Sequence, residues 1–101
     1  LFKSKNFFVH ENIKVYWDSE MSENQKIKVL ISVPKNFIDR SVDRNMIKRY
    51  LRESYRLNKL ILKTENKLVY IGIVYLSPKI SSFKLVEQKI KLILHRLKNE
   101  I

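Results

Sequence analysis

The side chains best suited to chemistry in this chain are cationic, and they crowd into one stretch. SVDRNMIKRYLRESYR, residues 41–56, sets Arg44, Lys48, Arg49, Arg52 and Arg56 against Asp43 and Glu53 alone. On a helix advancing about 100° per residue, these five cations share one arc with Lys59 and Lys63, roughly 200–340° from Val42. Tyr55 and Leu62 also fall inside that arc, whereas the two acids lie outside it. Solvated helix faces usually mix charge signs, because opposite charges at i,i+4 stabilise a helix and like charges oppose it. Here Lys48 faces Arg52, and Arg52 faces Arg56, each like pair costing about 0.2–0.5 kcal/mol. An idle basic face is the plain alternative, since charge runs are often only solvated. Cations gathered on one side favour a polyanion site.

Residue type narrows the chemistry further. Arginine offers a planar fork that grips phosphate with two hydrogen bonds and stacks on bases. Glu53 stands four residues after Arg49 and three before Arg56, which is spacing to hold both guanidiniums. Asn45 can donate and accept, as a base edge or a 2′-hydroxyl requires, although a local backbone hydrogen bond would use it equally well. Groups for bond breaking are missing from the pattern. His10 and His95 are far apart and neither has metal-ligand spacing. A single glycine leaves no phosphate cradle. Asp18, Glu20 and Glu23 lie in a polar run that reads as a solvated loop. If this protein takes part in a reaction, another molecule breaks the bond.

These residues need a frame, and the hydropathy pattern supplies one. Ile13–Trp17 alternates and is rich in strand formers, and residues 18–25 read as loop. Lys26–Val33 alternates again, with Ile27, Val29, Ile31 and Val33 on one face, until Pro34 ends it. A helix over residues 42–63 follows, its apolar side formed by Val42, Met46, Tyr50, Leu57 and Ile61. Residues 68–76 (LVYIGIVYL) are apolar on both faces, as in a central strand covered on each side. Gly72 in its middle marks a bulge or a close approach. A last helix over residues 83–101, capped by Ser81 or Ser82, carries the stripe Phe83, Val86, Ile90, Ile93, Leu94, Leu97 and Ile101. Residues 1–12 have room for one more element. Strand, strand, helix, strand, helix is the order of an α+β two-layer sandwich.

The totals agree with that frame. The chain has 101 residues, 45% of them hydrophobic, which makes residues 1–101 one globular domain. Its formal charge is +11, a field that attracts nucleic acid first and an acidic membrane surface second. No apolar run nears the roughly 18 residues that span a bilayer. Cysteine is absent, which removes disulfides and thiolate metal sites and fits a cytoplasmic protein. A chain that starts at Leu1 instead of Met is expected to be a piece of a longer reading frame.

Arg44-Asn45-x-x-Lys48-Arg49-x-x-Arg52-Glu53-x-x-Arg56 resembles the RNR motif of the bacterial ribonuclease P protein family. Lys28-Val29-x-x-Ser32-Val33-Pro34-Lys35 and Ser41-Val42 resemble the strand and loop that lead into that motif, and Tyr55-Arg56-Leu57-Asn58-Lys59 continues it. The resemblance implies a ribosomal protein S5 domain 2-like sandwich with a left-handed crossover helix between strands. It also implies that most of the family's N-terminal helix is missing here, only its tail surviving at Leu1-Phe2-Lys3. By the same resemblance the chain would be the non-catalytic subunit of an endoribonuclease that removes 5′ leaders from precursor tRNA. The RNA subunit would perform hydrolysis with bound Mg²⁺, and no cofactor would be held by the protein's own motifs. Arg44, Asn45, Lys48, Arg49, Arg52, Arg56 and Lys59 would contact ribonuclease P RNA or nearby leader phosphates. Tyr16 matches an aromatic position facing the family's leader cleft, with Phe7, Phe8 and Lys14 as further candidates. A structural RNA-binding protein, ribosomal or assembly factor, is the rival reading. A duplex-DNA reader fits less well, because so many cations along five turns imply backbone contact over base readout. The partners expected are therefore ribonuclease P RNA and precursor tRNA, with neither membrane nor DNA.

Overall fold

A computed structural model describes residues 6–63 and 66–101 of the chain. The expected helix tail at Leu1-Phe2-Lys3 lies outside the described residues. Four strands and two long helices appear in the order β1 (Asn6–His10), β2 (Ile13–Met21), β3 (Lys26–Ser32), α1 (Ser41–Asn58), β4 (Lys67–Tyr75) and α2 (Phe83–Glu100). The strands form one sheet in the order β1-β2-β4-β3. β1, β2 and β4 pair antiparallel, whereas β3 and β4 run parallel and are connected through α1. This is the mixed sandwich that the alternation of patterns predicts.

One face of the sheet meets the helices. Phe8, Val15, Ile73 and Ile31 stand in register across it, and Trp17, Ile71 and Val29 form the next row. They close on Ile47 and Leu51 of α1 and on Val86, Ile90, Ile93, Leu94 and Leu97 of α2 in one apolar cluster. Period-two alternation on the strands and period 3.6 on the helices direct these residues to the same layer. Ser82 caps α2, its hydroxyl accepting from the Leu85 amide at 3.4 Å. Removing that acceptor in Ser82→Ala should lower stability by about 1 kcal/mol, read as an earlier midpoint in urea denaturation.

Four expectations change. Residues 18–21 are strand, because β2 stays paired with β4 as far as Met21 opposite Lys67. Asp18 and Glu20 sit on the solvated face of that strand, so the ladder needs no apolar residue there. β4 is central in the sheet but covered by helices on one side only, since Leu68, Tyr70 and Val74 remain half-buried. Gly72 makes no bulge, for the register runs unbroken past it between Tyr16 and Leu30.

The fourth change concerns α1, whose buried residues are Ile47, Leu51, Ser54 and Asn58. Val42 and Leu57, assigned to its apolar side, are exposed. Helix α1 has turned to present two small polar residues to its neighbours, which polarity weighting cannot anticipate. They are buried without penalty because their hydrogen bonds are satisfied locally. The Ser54 hydroxyl donates to the Tyr50 carbonyl at 2.7 Å. The Asn58 amide donates to the Ser54 carbonyl at 2.8 Å and to the Glu87 carboxylate of α2 at 3.3 Å.

Candidate nucleic-acid interface

Helix α1 has two flanks with different neighbours. On one, Tyr50 meets Phe83 edge-on with ring centroids 5.7 Å apart, and Asn58 reaches Glu87, so this flank packs on α2. On the other, Tyr55 and Lys59 approach Lys26 and Ile27 at the head of β3, the edge strand. The cationic arc starts on this second flank and turns outward into solvent. Arg49, Arg52, Arg56, Lys59 and Lys63 are exposed, and Lys48 is half-buried. Among the described residues, Lys48, Arg49, Arg52, Lys59 and Lys63 form no ion pair. Exposed cations gathered on one helix surface create a positive field that favours polyanions.

Two arginines are committed differently. Arg44 donates through Nη1 to the carbonyls of Ile38 and Asp39, at 3.0 Å and 2.5 Å. It ties the loop after β3 to the first turn of α1 through Nη1 alone. Arg56 is forked onto Glu53, with Nε donating at 3.0 Å and Nη2 donating to the other carboxylate oxygen. Arg49, expected to share Glu53, does not reach it. Asn45 is exposed in the first turn, beside the cations.

The hydrogen bond from Arg56, aided by its charge, holds the Glu53 carboxyl below the usual carboxylate range. A carboxyl depressed in the folded state favours folding above its ordinary pKa and loses that contribution as pH falls through the folded value. Arg56→Ala should therefore raise the Glu53 titration midpoint toward the ordinary range, measured by carbon-detected NMR of the side-chain carboxyl.

The sheet face away from the helices is a second surface. Phe7, Tyr16, Gly72 and Leu30 form one row across all four strands, and Val9, Lys14, Val74 and Ser32 form the next. Phe7 and Tyr16 lie with ring centroids 6.0 Å apart, and the Lys14 ammonium sits 4.6 Å and 4.9 Å from them. Gly72 stands in register between Tyr16 and Leu30 and contributes no side chain to this row. Phe8 does not belong here. It is only 6% exposed, on the helix side of the sheet, with the Arg96 guanidinium 4.2 Å from its ring centroid. Adjacent strand residues point to opposite faces, so of Phe7 and Phe8 only one can join Tyr16, and it is Phe7. Asp18 and Glu20 lie further along the open face. Among the described residues no three acids or histidines converge on a metal-sized site.

A basic helix flank and an aromatic open sheet face on one mixed sandwich define a class of compact α+β proteins. A family profile for ribonuclease P matches residues 1–98, and the chain belongs to that family. It is 49% identical over 43 residues to a ribonuclease P protein component of Chlorobaculum tepidum, a match covering 43% of this chain and 28% of that protein. It is 34% identical over 77 residues to the component of Porphyromonas gingivalis, covering 72% of this chain and 56% of the relative. The chain thus matches 28% of the length of the first relative and 56% of the second. Among solved structures it is similar to the ribonuclease P protein of Thermotoga maritima, with TM-score 0.72 at 21% identity over 90% of this chain and 82% of that one. A Staphylococcus aureus ribonuclease P protein superposes with TM-score 0.68 at 21% identity, over 92% of this chain and 81% of that one.

Proposed function

We propose that this chain is the protein subunit of a ribonuclease P ribonucleoprotein, binding its catalytic RNA and the 5′ leader of precursor tRNA. The observation that carries the reading is the outer flank of α1, where Arg49, Arg52, Lys48 and Lys59 form no ion pair among the described residues of a chain of this family. Those side chains, with Asn45 and Arg44, contact RNA phosphates. Phe7, Tyr16 and Lys14 on the open sheet face receive the single-stranded leader, bases on the rings and phosphate at the ammonium. Hydrolysis belongs to the RNA, with Mg²⁺ held by RNA oxygens. The basic flank brings cations to that surface, and ammonium and guanidinium groups screen phosphates without competing as ligands for a hard divalent ion. In a cell such a particle works in the cytoplasm, where precursor tRNA is made in bacteria.

The test is cleavage of precursor tRNA by cognate ribonuclease P RNA at Mg²⁺ too low for the RNA alone. Added protein should restore cleavage at the 5′ maturation site and should favour precursor over mature tRNA in binding. Equal affinity for both, with no stimulation, would exclude the role.

A further inference from the structure

Tyr55 and Leu62 interrupt the cationic arc of residues 42–63, and RNA phosphates give no reason for them. In the structure, α1 runs into a short 3-10 helix at Lys59–Leu62. That turn, the end of α1 and the head of β3 enclose a groove of about 350 Å³, lined by Ile27, Tyr55, Leu60 and Leu62 with Lys26, Lys59 and Lys63. Its size lies at the lower end of small-molecule sites, roughly 300–1,000 Å³. Leu62 is wholly buried and supports the floor, whereas Leu60 is 81% exposed among the described residues. Tyr55 is half-buried, and burial pushes its phenol up, so the hydroxyl keeps its proton. Three lysines surround this apolar floor, and none forms an ion pair among the described residues. Among the described residues the outer edge of β3 pairs with no strand, which leaves peptide groups of the Lys26–Ile27 end available along one wall.

An apolar and aromatic floor, a polar peptide wall and a cationic rim match the three parts of a nucleotide: base face, base edge and phosphate. A continuous duplex would use only the rim, because its bases are stacked and paired. We propose that this groove takes one unpaired nucleotide of the RNA partner, its base on Tyr55 and Leu60 and its phosphate among Lys26, Lys59 and Lys63. The site is distinct from the open sheet face and rests on the RNA-binding function proposed above. It fixes register where the arginines of α1 supply affinity, since only an RNA with an extruded base at the right place can fill it.

NMR titration of the chain with hexauridylate, compared with a blunt RNA duplex, tests the assignment. Hexauridylate should shift the amide signals of Ile27, Tyr55 and Leu60, and the duplex should move those of Arg49 and Arg52 while leaving Leu60 in place. Tyr55→Leu should weaken hexauridylate binding about fivefold or more and change duplex affinity by less than about twofold. Leu60→Ser, altering a side chain the fold does not use, should also weaken hexauridylate binding selectively and guards against a folding defect in the first variant. Duplex binding with silent Tyr55 and Leu60 signals in both titrations would overturn the groove and leave the RNA-binding function standing. Absence of binding to either RNA would overturn both.

Discussion

Replacing Arg49, Arg52 and Lys59 together by alanine should reduce affinity for ribonuclease P RNA roughly a hundredfold or more near 0.1 M salt. All three are exposed and form no ion pair among the described residues, so their loss removes phosphate contacts without opening the core. Each phosphate contact releases condensed counterions and adds about 0.7–0.9 to the slope of log affinity against log salt. The triple variant should therefore flatten the slope by about 2–3, and Arg52→Ala alone by about 0.7–0.9. Filter binding across a salt series measures both values. A weakened affinity with an unchanged slope would show that these side chains do not meet phosphates.

Leu51→Ala should have the largest effect on stability. Leu51 is fully buried at the centre of α1, against the core shared with α2 and the sheet. Truncation leaves a cavity as well as losing apolar transfer energy, together about 3 kcal/mol. Small domains hold only about 5–15 kcal/mol in total, so the variant should melt roughly 10–20 °C lower by circular dichroism. Its salt slope for RNA, measured well below that melting temperature, should match the parent's, because no cation has moved. Leu57→Ala, on the side once expected to be apolar, should change the melting temperature far less. The pair of variants thus tests which side of α1 faces inward.

The difference between those two leucines shows where sequence reasoning reached its limit. The cationic arc could be read directly, since charge is a property of residue type and the helix period places it. The buried side could not, because Ser54 and Asn58 are polar and are accommodated through hydrogen bonds visible only once Tyr50 and Glu87 are in place. α2 was legible because its stripe meets one continuous apolar layer. Residues 18–21 were not, since a strand with a solvated face carries loop-like residues and only pairing with β4 reveals it. Phe7 and Phe8 are equivalent as types, and the register opposite Tyr16 and Val15 decides which one is core. The groove beside Tyr55 left a trace in the sequence, two apolar residues inside a basic arc, but its other wall comes from β3.

The parallel pairing of β3 with β4 has a consequence for synthesis. The two strands touch along seven residue pairs but are separated in the chain by the whole of α1. During translation α1 therefore emerges before the strand that closes the sheet beneath it and before α2, which packs on its flank. Contacts this distant in sequence form slowly, and most of a helix's stability in a protein comes from packing its apolar face and not from propensity. The basic surface becomes rigid only when the C-terminal half is complete. A nascent chain offers RNA a diffuse cloud of positive charge, and only the finished chain offers a shaped one, so folding itself sets when selective assembly can begin.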